Sequence, residues 1–369
     1  MVRTDVEFLI IVFILVTIFI FGLKPLKNRR NGGGILSIDL NMSNAMKGVA
    51  CVMILMGHWG TLTFFSDIPW GISKFVWLFF CNIALFWFMF FSGYGLSIKK
   101  YMNNYSIISL WLKRIKKIYL PLLVTCILMT LIYALLPAND SLIYSPQLFN
   151  EIHHFSSSNM PSIILQMIGW SDWYVICILY FYTFFYMSLW IGRTLNVCNT
   201  YILFGFMSAY LIFAISFYGY ENAHYYRYCW VFFLGHIVAK WDNLTSKINA
   251  ILCCCVLAIT LFLENGMRLQ NIIIIDIAYF MAFILLIIIS IVNRRYEMRG
   301  SAILFMGSIS YFFYLCHVRI GYFLISYANI TDVIIWGIVT FFVASLLLFI
   351  QNILCSVSFS QINKIKNLL

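Results

Sequence analysis

The stretch NAMKGVACVMILMGHWGTLTFF, residues 44–65, decides how this chain is read. It is apolar almost throughout, yet it carries Lys47 near one end and His58 eleven residues later. As a helix, about 20 such residues rise roughly 30 Å, the thickness of a bilayer's hydrocarbon core. An ionisable group is expensive to hold inside such a segment and marks a functional site. Eleven helical steps make three turns plus about 20°, so Lys47 and His58 share one face, roughly 16 Å apart along the axis.

Runs of the same kind recur outward from this one, at 7–23, 75–98, 116–136, 172–192, 199–218, 227–239, 248–263, 271–292, 302–326 and 333–355. The chain is 63% hydrophobic and only 10% charged, too little charge to cover a soluble domain. The runs are continuously apolar rather than alternating, so they are helices and not the strands of a barrel. The expected fold is therefore an all-α polytopic membrane helix bundle of about eleven transmembrane helices. The first run is not a cleaved leader, because its cations follow the apolar stretch and no small-residue cleavage site is present.

The net charge of +11 would suggest nucleic acid in a soluble protein, but here its distribution argues for topology. Lys24, Lys27, Arg29, Arg30, Lys99, Lys100, Lys113, Arg114, Lys116, Lys117, Arg193, Lys240, Lys247, Arg294, Arg295, Arg299, Lys364 and Lys366 fall in one alternating set of loops. The opposite set holds most of the acids, Asp172 among them. This predicts a multi-pass protein of the cell (inner, cytoplasmic) membrane with the N-terminus outside and the C-terminus cytoplasmic. Gly32–Gly34 read as a linker, dividing residues 1–34, an extra N-terminal helix, from a membrane domain at 35–369. The connection 137–171 is the expected outer lid. The eleven cysteines show no ligand spacing with histidines, so no metal site is expected.

A cation at the cytoplasmic mouth suits an anionic head group, and a neutral imidazole deeper in suits a base or nucleophile. A phosphorylated carrier with a long reactive arm, such as acyl-CoA, has this shape. Arg114 and Lys117 lie at i, i+3 on one helical face and could bind phosphates. The bland alternatives are a hydrogen-bonded packing histidine, a snorkelling lysine and a topology signal facing anionic lipid.

Five elements in order add a resemblance. Asn44-Ala-Met-Lys-Gly-Val-Ala-Cys-Val-Met-Ile-Leu-Met-Gly-His58 resembles the opening motif of the acyltransferase-3 family of membrane acyltransferases, a basic residue, ten others and a His. Phe90-Phe-Ser-Gly-Tyr94, Arg114-Ile-Lys-Lys-Ile-Tyr-Leu-Pro121, Trp173-Tyr174 and Gly307-Ser-Ile-Ser-Tyr-Phe-Phe-Tyr-Leu-Cys-His317 are similar to later elements of that family. The resemblance spans about residues 39–355 and implies a ten-helix core, leaving the first span as an addition. Two positions depart from the family: Lys47 stands where Arg is usual, and Asn44 where an acid is frequent. Lys47 keeps the charge but loses the forked donor.

The resemblance implies transfer of an acyl group, most often acetyl, from cytoplasmic acyl-CoA to a hydroxyl of a cell-surface polysaccharide or its lipid-linked precursor. Acetyl-CoA then serves as donor substrate rather than resident cofactor. It implies His58 and His317 as catalytic, with Lys47, Ser92, Arg114 and Lys117 on the donor side. Trp173, Arg227, Tyr311 and Tyr314 fall to the acceptor. His317 with Arg319 could instead be a structural polar pair, and Trp173 an interface anchor. The rival class is a transporter of a glycan or anionic solute, since intramembrane His and Arg also mark transport paths. Repeated halves and paired broken helices, the marks of that class, are not found in the sequence.

Overall fold

The computed structural model describes residues 2–26, 38–64, 72–98, 106–135, 160–168, 172–219, 225–240, 269–328, 330 and 332–366. Its helices are α1 (Val2–Gly22), α2 (Leu40–Phe64), α3 (Ile72–Ser97), α4 (Ile107–Leu135), α5 (Met160–Met167), α6 (Trp173–Leu195), α7 (Asn199–Tyr218), α8 (Cys229–Ala239), α9 (Leu269–Asn293), α10 (Ser301–Ala328) and α11 (Val333–Lys366). Eight of them are long and apolar enough to cross a bilayer. The fold is an all-α polytopic membrane bundle. Ten of the eleven expected spans coincide with a helix, while 248–263 lies outside the described residues, as do Gly32–Gly34. The expected lid at 137–171 is described only at 160–168, where α5 lies.

Seven helices pack in a closed circuit, α10–α2–α3–α8–α7–α6–α4 and back to α10. α11 lies against α10, α9 against α3, and α1 against α10. Hydrocarbon gives helices no hydrophobic reason to associate, so close approach depends on small residues. Two crossings show this. A Cβ on Gly307 would stand 2.1 Å from the Asn44 carbonyl oxygen, and one on Gly48 would stand 3.0 Å from the Gly307 nitrogen, so α2 and α10 touch backbone to backbone. A Cβ on Gly93 would stand 2.0 Å from the Phe232 oxygen, and one on Gly235 would stand 2.2 Å from the Phe90 oxygen, which brings α3 equally close to α8.

Three features differ from the sequence expectation. α4 begins at Ile107 rather than 116, so Arg114 and Lys117, expected on one helical face, lie on the spanning helix itself. Lys113, Lys116 and Lys117 are exposed there, which lets long side chains carry their charge outward while the backbone stays hydrogen-bonded. α11 runs on to Lys366, past the apolar stretch, because nothing in its polar tail breaks a helix. A two-stranded antiparallel sheet, β1 (Leu23–Pro25) with β2 (Tyr296–Met298), pairs the chain leaving α1 with the chain leaving α9. The Arg299 and Gly300 amides also donate to the Gly22 carbonyl, at 2.9 and 3.2 Å. The chain at 24–26 and the basic stretch at 294–299 therefore meet at one end of the bundle.

Candidate active site

α2 and α10 run parallel in fixed register. Gly48 lies on Gly307, the Cys51 thiol donates to the Ser310 carbonyl at 3.0 Å, and the rings of His58 and His317 have centroids 5.0 Å apart. In both helices the steps are three and then seven residues, the spacing that keeps one seam facing a parallel neighbour. The glycine contact thus sets the depth and separation of the two imidazoles, roughly 15 Å further along the axis.

His317 is 1% exposed. Its Nδ1 lies 2.6 Å from the Tyr314 carbonyl oxygen. A carbonyl only accepts, so Nδ1 carries the proton and Nε2 of the neutral ring holds a lone pair. Among the described residues that buried Nε2 has no hydrogen-bond partner. The α10 backbone is pinned from the other side, where the Trp336 indole donates to the His317 carbonyl at 2.7 Å. A buried, oriented acceptor nitrogen beside a second imidazole is equipped to take a proton from a hydroxyl. His317 and Arg319 are not a polar pair: the Arg319 guanidinium donates to the Leu315 carbonyl and to Cys126 Sγ.

Toward the basic end, the charges of Lys117 and Arg114 both bear on Lys47, so the three expected donor-side cations converge from α2 and α4. Arg114 bears on Tyr186, and Ser92 on Tyr182, one turn back along α6. Ser92 also donates to the Phe88 carbonyl at 2.8 Å, leaving its oxygen able to accept. Tyr182 and Tyr186 join this side without any sequence signal, since tyrosines are scattered through the chain. Pro121 has no N–H to give the Lys117 carbonyl, and the next carbonyl, Ile118, accepts the Tyr311 hydroxyl at 3.0 Å. Tyr311, expected on the acceptor side, thus ties α10 to α4 near the cations.

Toward the opposite end the wall is aromatic. Tyr314 packs on His317 with centroids 5.7 Å apart and on Tyr174 at 4.8 Å. Trp173 meets Tyr174 edge-on at 6.0 Å and stacks on Tyr228 at 6.1 Å, next in sequence to Arg227. Asp172, which the sequence marks only as an acid on that side, caps α6 and accepts the Tyr314 hydroxyl at 3.3 Å. Burial holds its carboxyl above the usual carboxylate range, with the Arg319 charge opposing. The missed signal is local: an Asp directly before an apolar run is a helix cap.

His236 makes a different kind of site. It is fully buried, and both ring nitrogens are engaged, Nδ1 with Ser97 Oγ at 2.7 Å and Nε2 with Thr200 Oγ1 at 3.1 Å. It ties α3, α7 and α8 together. His153, His154 and His224, expected in outer loops, lie outside the described residues.

Comparison with known proteins adds one finding. A family model described as an acyltransferase domain, of the acyltransferase-3 type, matches residues 40–359. That match begins where α2 begins, after α1 and β1. No curated protein and no solved structure matches the chain.

Proposed function

The chain belongs to the acyltransferase-3 family, and from that premise we propose that it is a membrane O-acyltransferase moving acetyl from acetyl-CoA to a hydroxyl of a cell-surface polysaccharide or its lipid-linked precursor. The observation that carries the reading is the His58–His317 pair, with a free Nε2 between a cationic end and an aromatic end. In this scheme Lys47, Arg114 and Lys117 hold the CoA phosphates at the end taken as cytoplasmic. The pantetheine arm runs past Ser92 and Tyr182 and brings the thioester to the histidines. The acceptor hydroxyl enters along Trp173, Tyr174 and Tyr314. The free Nε2 of His317, beside the His58 ring, takes the hydroxyl proton. The oxygen bonds to the acyl carbon, the carbon–sulfur bond breaks, and the proton passes to the departing CoA sulfur. Chemistry of this type gains about 10²–10⁴-fold from a positioned base.

The test is turnover of acetyl-CoA by purified protein in lipid nanodiscs, with and without candidate glycans. Glycan-dependent release of CoA with acetyl on the glycan supports the proposal. Vesicle uptake of a glycan with no acetyl transfer would replace it with the transporter reading.

A further inference from the structure

Asp172 is built into the site more firmly than a helix cap requires. A cap needs one side-chain oxygen accepting from the first turn, and Asp172 Oδ1 does this with the Val175 amide at 3.4 Å. The same oxygen also accepts the Tyr314 hydroxyl at 3.3 Å, from a helix 142 positions away in sequence. Tyr314 is the residue whose carbonyl fixes the proton on His317 Nδ1. One tyrosine therefore joins the carboxyl to the reacting imidazole. Arg319, two residues beyond His317, places a positive charge near the carboxyl. A carboxylate offers about four lone-pair positions. The Val175 amide and the Tyr314 hydroxyl take two of them, both on Oδ1.

The neighbours of this carboxyl suit one class of ligand. Trp173 follows it in sequence and Tyr314 bonds to it, and both rings are only partly buried. Flat aromatic faces accept the C–H faces of a ring, and a carboxylate accepts its hydroxyls through charge-assisted bonds. A fatty chain would leave Asp172 unsatisfied. An anionic head group would be repelled by it.

Resting on the glycan-acceptor reading above, we propose that Asp172 is an acceptor-binding residue. Its carboxylate takes a hydrogen bond from one sugar hydroxyl and so presents a neighbouring hydroxyl to His58 and His317. Tyr314 holds the carboxylate in place for this, with the Arg319 charge bearing on it.

The experiment uses the full chain in nanodiscs, radiolabelled acetyl-CoA, and the methyl glycosides of glucose, galactose and N-acetylglucosamine as acceptors. Asp172→Asn and Asp172→Ala are compared with the unsubstituted protein. Asn caps a helix about as well as Asp, so the first variant keeps the fold and loses only the charge. The expected result for Asp172→Asn is a rise of roughly tenfold or more in acceptor KM, the loss of one charge-assisted hydrogen bond. Its KM for acetyl-CoA stays within about twofold. A purely capping role predicts that Asp172→Asn behaves like the unsubstituted protein while Asp172→Ala melts earlier. An unchanged acceptor KM in Asp172→Asn, or an equal rise in its KM for acetyl-CoA, overturns the assignment while leaving the acyltransferase reading intact. If the unsubstituted protein acetylates none of the glycosides, the glycan reading falls, and the role of Asp172 falls with it.

Discussion

His236 and His317 are both buried in the bundle, on helices that meet a neighbour at a glycine contact, and they do opposite things. His236 has a hydroxyl on each nitrogen, from α3 and from α7, and is complete as it stands. His317 has one nitrogen committed to its own helix and the other left open beside His58. An unpaired buried polar atom costs about 1–3 kcal/mol, so the fold retains at His317 a defect it avoids at His236. The difference teaches that the functional histidine is found by its unmet hydrogen bond, since burial alone marks both.

The largest expected effect tests this contrast directly. His58→Ala and His317→Ala should each lower kcat for acyl transfer by about 10²–10⁴-fold while the protein still extracts and melts as a single species. His236→Ala should do the reverse. It takes away the Thr200 hydroxyl's partner, while Ser97 still donates to the Gly93 carbonyl, which lowers stability by about 1–3 kcal/mol with kcat nearly kept. Thermal denaturation and steady-state kinetics on the same preparations compare the two. Near-full activity in His58→Ala would reduce His58 to a packing residue.

The two glycine crossings sharpen the comparison at a smaller scale. Gly307→Ala must push α10 away from Asn44, and that displacement reaches the imidazoles along the seam. A misplacement of about 1 Å costs up to roughly 10²-fold in rate, so kcat should fall further than stability. Gly235→Ala forces α3 from α8 by the same clash, but beside the satisfied histidine, and should lower stability with kcat preserved in the molecules that fold. Equal kinetic damage from both would mean that the bundle moves as one piece.

The cations give the smallest effect and the cleanest separation of binding from chemistry. Arg114→Ala and Lys117→Ala should each raise KM for acetyl-CoA by about ten- to a hundredfold, one charge-assisted contact of roughly 1.5–3 kcal/mol. Their kcat should hold, because phosphates lie far from the reacting carbonyl. Lys47→Arg should be neutral or favourable, since a forked donor replaces a point charge. Unchanged donor KM in both alanine variants would assign those side chains to lipid contact.

Much of the fold was legible because hydropathy over about 20 residues is a strong signal and backbone satisfaction in lipid leaves few alternatives. The start of α4 was not, because charges at 113–117 look like the end of a span when a helix can carry them on its exposed face. The β1–β2 pair was not, because strands of three residues are too short for an alternating pattern to show. For the site, His58 and His317 were both visible as intramembrane histidines. Their meeting was written in the matched spacings Gly48, Cys51, His58 and Gly307, Ser310, His317, although nothing local says which distant helix shares a register. Asp172 escaped because its second partner, Tyr314, comes from the far side of the sequence.

The β1–β2 ladder also imposes an order of events on synthesis. Leu23 pairs with Met298, so the partner that secures the first helix is made some 270 residues after it. At about 5–20 residues per second, roughly 15–55 s pass between the two strands leaving the ribosome. Throughout that interval the strand at Leu23–Pro25 waits for its partner, while the helices between them are made. The exit of α1 is therefore fastened long after α1 itself is made.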